Sequence, residues 1–269
     1  MLAFLPLLFS DDVPGNTSQH QANGYMATQN IYQQPILLAR QKHKNLRFTP
    51  QKDLSFTKGM NSVPINGMEF SAAANELPIL FGKDSNDNYF PLAILSFSND
   101  GHLLLNEKGE WNSDVYLPIF LRRYPFVLSP QGAVLFDSKA PHFADKESGK
   151  PLLTEEGEFT PVLKSAMSLL QRYEKQAERT REYARACKEA GLLKPCDLSV
   201  QQGKSNPLSL SNLYMLDAGK LNKLSDEQVV EWHRKGWLAW SYAHINSLPA
   251  MQRLLRRQRV HDRVDVGKR

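Results

Sequence analysis

Apolar positions follow two different rhythms along this chain. Segments 46–48, 77–81, 89–97, 102–105 and 133–136 are short apolar or alternating runs, separated by clusters of Gly, Asn, Asp and Pro. Alternation bounded by turn formers predicts strands, and the spacing predicts a mostly antiparallel, curved sheet. Segment 70–76, with three alanines, and segment 116–123 predict short helices.

The rhythm changes at Thr160. Thr160 is placed as an N-cap and Pro161 at the first helical position, and no further Gly or Pro occurs before Gly191. Leu163, Ala166, Leu170, Tyr173, Ala177, Thr180, Ala184 and Cys187 recur at three and four spacing. They predict one buried face along a helix of roughly 45 Å, its other face dense in Lys, Arg, Glu and Gln and read as solvated. Segments 198–201 and 208–215 predict a strand pair turning at 203–207. Ser225 followed by Gln228 forms a capping box, Gly236 suits the helix stop, and a last helix begins near Trp237 with Pro249 inside it.

These elements predict an α+β protein in which a curved, mostly antiparallel sheet in the N-terminal half packs with a long helix and a C-terminal helical segment. The strand-rich part is 46–136 and the helix-rich part 160–257. Residues 1–29 open on an apolar stretch without a basic start and turn polar over 11–24, which predicts a disordered or extended leader rather than a good secretory signal. Whether Met1 or Met26 is the true start stays open.

With 269 residues, 41% hydrophobic and 10% aromatic, the chain can bury a substantial core. Residues 250–269 carry seven Lys and Arg against two Asp, a net of +5 and the whole excess charge of the chain. A specific nucleic-acid face across the body is thereby disfavoured. Arg253, Arg256 and Arg257, opposite Met251, Leu254 and Leu255, are read as a solvated face. Weak contact with an anionic surface is the alternative. Residues 258–269 are read as a basic tail. No apolar run reaches the ~18 residues of a membrane helix, and the expected location is cytoplasmic, with export or surface association as the alternative. Cys187 and Cys196 lack metal or redox spacing and read as reduced structural thiols.

Gly203-Lys204-Ser205 looks like the end of a phosphate-binding loop, but Leu198 stands where that loop needs glycine. Asp84-x-Asn86-x-Asn88 has calcium-loop spacing, yet Tyr89 occupies the glycine position, so a turn is expected. The seven histidines form no close metal-ligating set, and no nucleophile elbow or dinucleotide fingerprint occurs. No catalytic residue, metal or cofactor is therefore assigned. His244 is read as a hydrogen-bonded, partly buried side chain, with a ligand or base as the alternative. Trp232, Trp237 and Trp240 crowd near Tyr242, as core or as an aromatic-lined groove.

Segment 114–128, Asp-Val-Tyr-Leu-Pro-Ile-Phe-Leu-Arg-Arg-Tyr-Pro-Phe-Val-Leu, sets two adjacent arginines inside an apolar run. Neighbours point in different directions, so at least one guanidinium is expected against packed protein, paired with a carboxylate or carbonyls. The expected binding set is Arg122, Arg123, Tyr124, Trp237, Trp240 and His244.

The Tyr-Leu-Pro…Arg-Arg-Tyr-Pro-Phe run resembles the signature of the bacterial SapC family. The resemblance extends over roughly 30–257 through Asn61-Ser62-Val63-Pro64-Ile65, Met68-Glu69-Phe70, Glu76-Leu77-Pro78-Ile79-Leu80-Phe81, Phe90-Pro91-Leu92-Ala93-Ile94-Leu95, Trp111, Gly236-Trp237-Leu238 and the run from Tyr242 to Leu248. It implies surface-layer, secretion or outer-membrane receptor connections and no established catalytic residues. The leading expectation is a non-enzymatic factor that binds another protein or a peptide. The competing one is an enzyme or enzyme accessory acting on an aromatic or peptide substrate in tryptophan-halogenase-like systems, its site built on the arginine pair and His244.

Overall fold

A computed structural model of the chain describes residues 31–97, 101–145, 147–196, 198–200, 208–210 and 212–266. The leader expected over 1–29 and the turn expected at 203–207 lie outside the described residues. The chain divides into two interleaved compact units, Met1–Gln51 with Arg123–Glu174, and Lys52–Arg122 with Lys175–Arg269. The helix Pro161–Glu189 gives its first half to one unit and its second half to the other.

In the first unit, strand Val134–Asp137 lies between Pro35–Leu37 and Phe126–Leu128, both antiparallel to it. Arg47–Phe48 pairs with Lys150–Pro151. Phe126, Phe136, Leu38, Leu152 and Leu153 pack with Leu163 and Leu170 of the long helix. Each such fully buried side chain contributes about 1.5–3 kcal/mol.

In the second unit, five antiparallel strands run in the order Ser62–Pro64, Tyr89–Ile94, Ile79–Lys83, Tyr214–Leu216, Leu193–Pro195. Both edge strands end in proline, which cannot donate to a further strand. The last two strands come from after the long helix, so this sheet is not confined to the N-terminal half as the alternating pattern suggested. Segment 208–215 splits because Asn212 adopts φ 61°, leaving Leu208–Leu210 paired with Leu198–Val200 and Tyr214–Leu216 in the larger sheet. Residues 102–105 form no strand, only an isolated bridge from Leu105 to Trp111.

The expected caps are present on helix Asp226–Lys235. Ser225 and Gln228 form the reciprocal capping box of helix Asp226–Lys235, and Gly236 closes it with φ 78°. Pro249 falls between two helices, Trp237–Ser247 and Ala250–Val266. The helix expected over 116–123 shrinks to one turn, Ile119–Arg122, since the residue before Pro118 is steered away from helical geometry. Thr160 does not cap through its hydroxyl, which donates instead to the carbonyls of Pro151 and Leu152 at 2.8 and 3.1 Å. Cys187 and Cys196 are not joined by a disulfide.

Candidate functional site

The adjacent arginines have unrelated partners. Arg123 belongs to the first unit, where it is 8% exposed, with its guanidinium carbon 4.3 Å from the Tyr173 ring centroid and Nη1 3.4 Å from Glu174 Oε1. A planar, weakly hydrated cation on an aromatic face tolerates burial that an ammonium would not. Tyr124 is buried beside it, and its hydroxyl donates to Asp137 Oδ2 at 3.1 Å. Asp137 also accepts from the backbone N–H groups of Gln33, Gln34 and Lys139. Burial alone would raise its pKa, but these donors outweigh that and lower it. Burial, then the Asp137 charge, raises the Tyr124 pKa, and burial pushes Tyr32 up to about 12. The Tyr32 hydroxyl donates to the Phe126 carbonyl at 2.9 Å.

Arg122 belongs to the second unit and is exposed. Its Nη2 donates to the Tyr116 hydroxyl at 3.0 Å, and Tyr116 donates to Glu69 Oε1 at 3.0 Å. Glu69 is 2% exposed and also accepts from the N–H groups of Ile119, at 2.7 Å, and Asn66, at 3.0 Å. Burial raises its pKa despite these donors. This buried carboxylate holds two chain segments together, and both come from blocks that carried the family resemblance.

Trp237 and Trp240 are buried around Tyr183, with ring centroids 6.2 and 5.4 Å from it, and Trp232 stands 6.0 Å away. Tyr183 is fully buried although the three-four stripe omitted it. Ser241 donates to the Trp237 carbonyl, which makes Tyr183 the donor in its 3.0 Å bond to the Ser241 hydroxyl. The tryptophans thus form core around a polar pin.

His244 is fully buried beside Phe81, more deeply than the sequence suggested. Its Nε2 accepts from the Leu216 N–H at 3.1 Å, which places the ring proton on the buried Nδ1. Burial pushes its pKa down to about 3, so it is neutral and shielded from solvent. The expected binding set is therefore split, Arg123 and Tyr124 in one unit and Arg122, Trp237, Trp240 and His244 in the other.

One of that set does reach a concave surface. In the second unit a cleft of about 530 Å³ runs between the long helix and helix Asp226–Lys235, with Trp232 and Trp237 at its base. Glu182, Arg185 and Glu189 line one side, Glu231 and Lys235 the other. Lys235 pairs with Glu231 at 2.6 Å, whereas Glu182 and Glu189 make no ion pair among the described residues. The sequence missed this side because a helix face dense in charge reads as solvated. Only the helix opposite reveals the groove.

The other candidate features resolve locally. Asp84 accepts from the Asn86 and Asn88 backbone N–H groups and the Asn88 side chain, a turn as expected. Arg253 donates to the Asn75 carbonyl and Arg257 to Glu76 at 3.1 Å, so two of the three arginines read as solvated are engaged and Arg256 is exposed. Among the described residues no group of three or more His, Cys, Asp and Glu could hold a metal ion, and no helix is long and apolar enough to cross a membrane.

A family model described as SapC matches residues 38–254. No curated protein and no solved structure matches the chain.

Proposed function

The chain belongs to the SapC family, and we propose that it acts as a non-catalytic protein- or peptide-binding factor serving surface-layer, secretion or outer-membrane receptor systems. The observation that carries this reading is the cleft over Trp232 and Trp237, with Glu182 and Glu189, which form no ion pair among the described residues, on one wall. A groove between two helices, with aromatic edges at its base and carboxylates at its rim, suits a peptide carrying an apolar side chain next to a basic one. Arg185 on the same wall offers a partner for a backbone or side-chain acceptor. The groups on which a catalytic site would have rested support the same reading: His244 is sealed from solvent, and Arg123 is committed to Tyr173 and Glu174.

Selection of a random peptide library on the purified full chain tests the proposal. Enriched peptides should combine a basic with an apolar residue, and the Glu182→Lys/Glu189→Lys variant, folded by circular dichroism, should lose them. The reading fails if no sequence is enriched, or if the variant binds the enriched peptides as tightly as the parent.

A further inference from the structure

Helix Asp226–Lys235 also turns outward beside the cleft. Val229 and Val230 are 39% and 48% exposed. A shallow depression of about 590 Å³ follows this face past Asp226, Glu227, Val230 and Arg234, and it shares Glu231 and Lys235 with the edge of the peptide cleft. Neither valine lines the peptide cleft.

The charges on this face are arranged symmetrically about Val230. Asp226 and Glu227 occupy the first turn, and His233, Arg234 and Lys235 the last. Asp226 lies four residues before Val230 and Arg234 four after it, a separation of about 12 Å along the axis. Neither Asp226 nor Arg234 forms an ion pair among the described residues. A second copy of the same helix, turned by a twofold axis through Val230, sets the Asp226–Glu227 turn of each copy against the His233–Arg234 turn of the other and packs Val230 on Val230. Self-complementarity of this kind is what an isologous interface requires. A different partner would have to reproduce the same acidic, apolar, basic order in reverse, which the chain already possesses.

We infer that a second copy of this chain docks on the Val230 face, helix Asp226–Lys235 antiparallel to its twin. A helix about 15 Å long covers less than the ~800 Å² per partner typical of a stable complex. The association is accordingly weak, and it is sensitive to salt because its ion pairs lie at the rim.

Analytical ultracentrifugation of the full chain, from micromolar to millimolar concentration, tests this. The parent should dimerise reversibly and weaken as salt is raised, and Val230→Asp should weaken dimerisation at least about tenfold with an unchanged melting transition. A charge exchange separates this surface from any other. Asp226→Lys/Glu227→Lys and Arg234→Glu should each fail to self-associate, and a mixture of the two should recover a heterodimer. A parent that stays monomeric throughout overturns the inference and leaves the face to another partner or to none. So does a dimer indifferent to Val230→Asp, or a mixture that does not recover.

Discussion

The Arg123 guanidinium rests 4.3 Å from the centroid of the Tyr173 ring, one residue before the Glu174 carboxylate that it also meets. Tyr173 therefore serves two purposes on one helix turn: its body is part of the buried face, and its π-surface holds a cation that is 8% exposed.

Tyr173→Phe should keep both and change stability by less than about 1 kcal/mol. Tyr173→Asp, which buries a charge on the helix face, should abolish the cooperative melting transition or cause aggregation. Arg123→Lys, which loses the stacked plane, should cost about 1–2 kcal/mol. Urea denaturation monitored by circular dichroism distinguishes the three. An unperturbed Tyr173→Asp would mean that this face of the helix is not core.

The long helix was legible because eight positions at three and four spacing state one face, and local cap chemistry fixed the limits of helix Asp226–Lys235. The register of the larger sheet was not, because pairing of Tyr214 with Phe81 joins strands that lie far apart in sequence, and no local pattern encodes a partner. The same limit hid the site. Glu69 looks like any helix-flanking acid until Tyr116 and Ile119 meet it, and Glu182 looks solvated until Trp232 and Lys235 stand across from it.

Gly67 is required by an approach rather than by a turn. A Cβ there would collide with the six-membered ring of Trp240, whose position is fixed by Tyr183 and Phe70. Gly67→Ala should cost about 1–3 kcal/mol as overpacking. Gly59→Ala, with open space around it, should not. Thermal melts of both variants decide it, and equal effects would contradict the close packing of Trp240.

Three buried histidines make the fold acid-sensitive. Burial pushes His244 down to about 3 and His102 and His142 to about 4, against about 6.5 in an unfolded chain. Each is neutral in the folded protein, so between roughly pH 6.5 and 4 the unfolded chain binds protons that the folded one does not. Their contribution is complete above pH 6.5 and is lost as pH falls through that window, with a combined slope of up to ~4 kcal/mol per pH unit. His244→Gln can keep an acceptor for the Leu216 N–H without titrating, and should shift the acid-unfolding midpoint downward. A midpoint that does not move, or moves up, would show that protonation of His244 does not drive the transition.

Thr180 sits on the apolar stripe of the long helix, where spacing alone would accept valine equally well. The structure gives the hydroxyl two bonds. It donates to the Gln176 carbonyl at 2.7 Å and accepts from the Gly67 N–H at 2.9 Å, in a setting where Thr180 is 1% exposed. Thr180→Val keeps the volume and the branched shape but leaves the Gly67 N–H buried without an acceptor, a loss of about 1–3 kcal/mol. Thr180→Ser keeps the acceptor and gives up only a methyl group, about 1 kcal/mol. Serine should therefore be the milder substitution, although valine is the better match in hydrophobicity and size. Amide exchange at Gly67 gives a local readout, with protection falling in the valine variant and retained in the serine one. The opposite order of stabilities would mean that the methyl packing of Thr180, and not its hydrogen bond to Gly67, is what this position supplies.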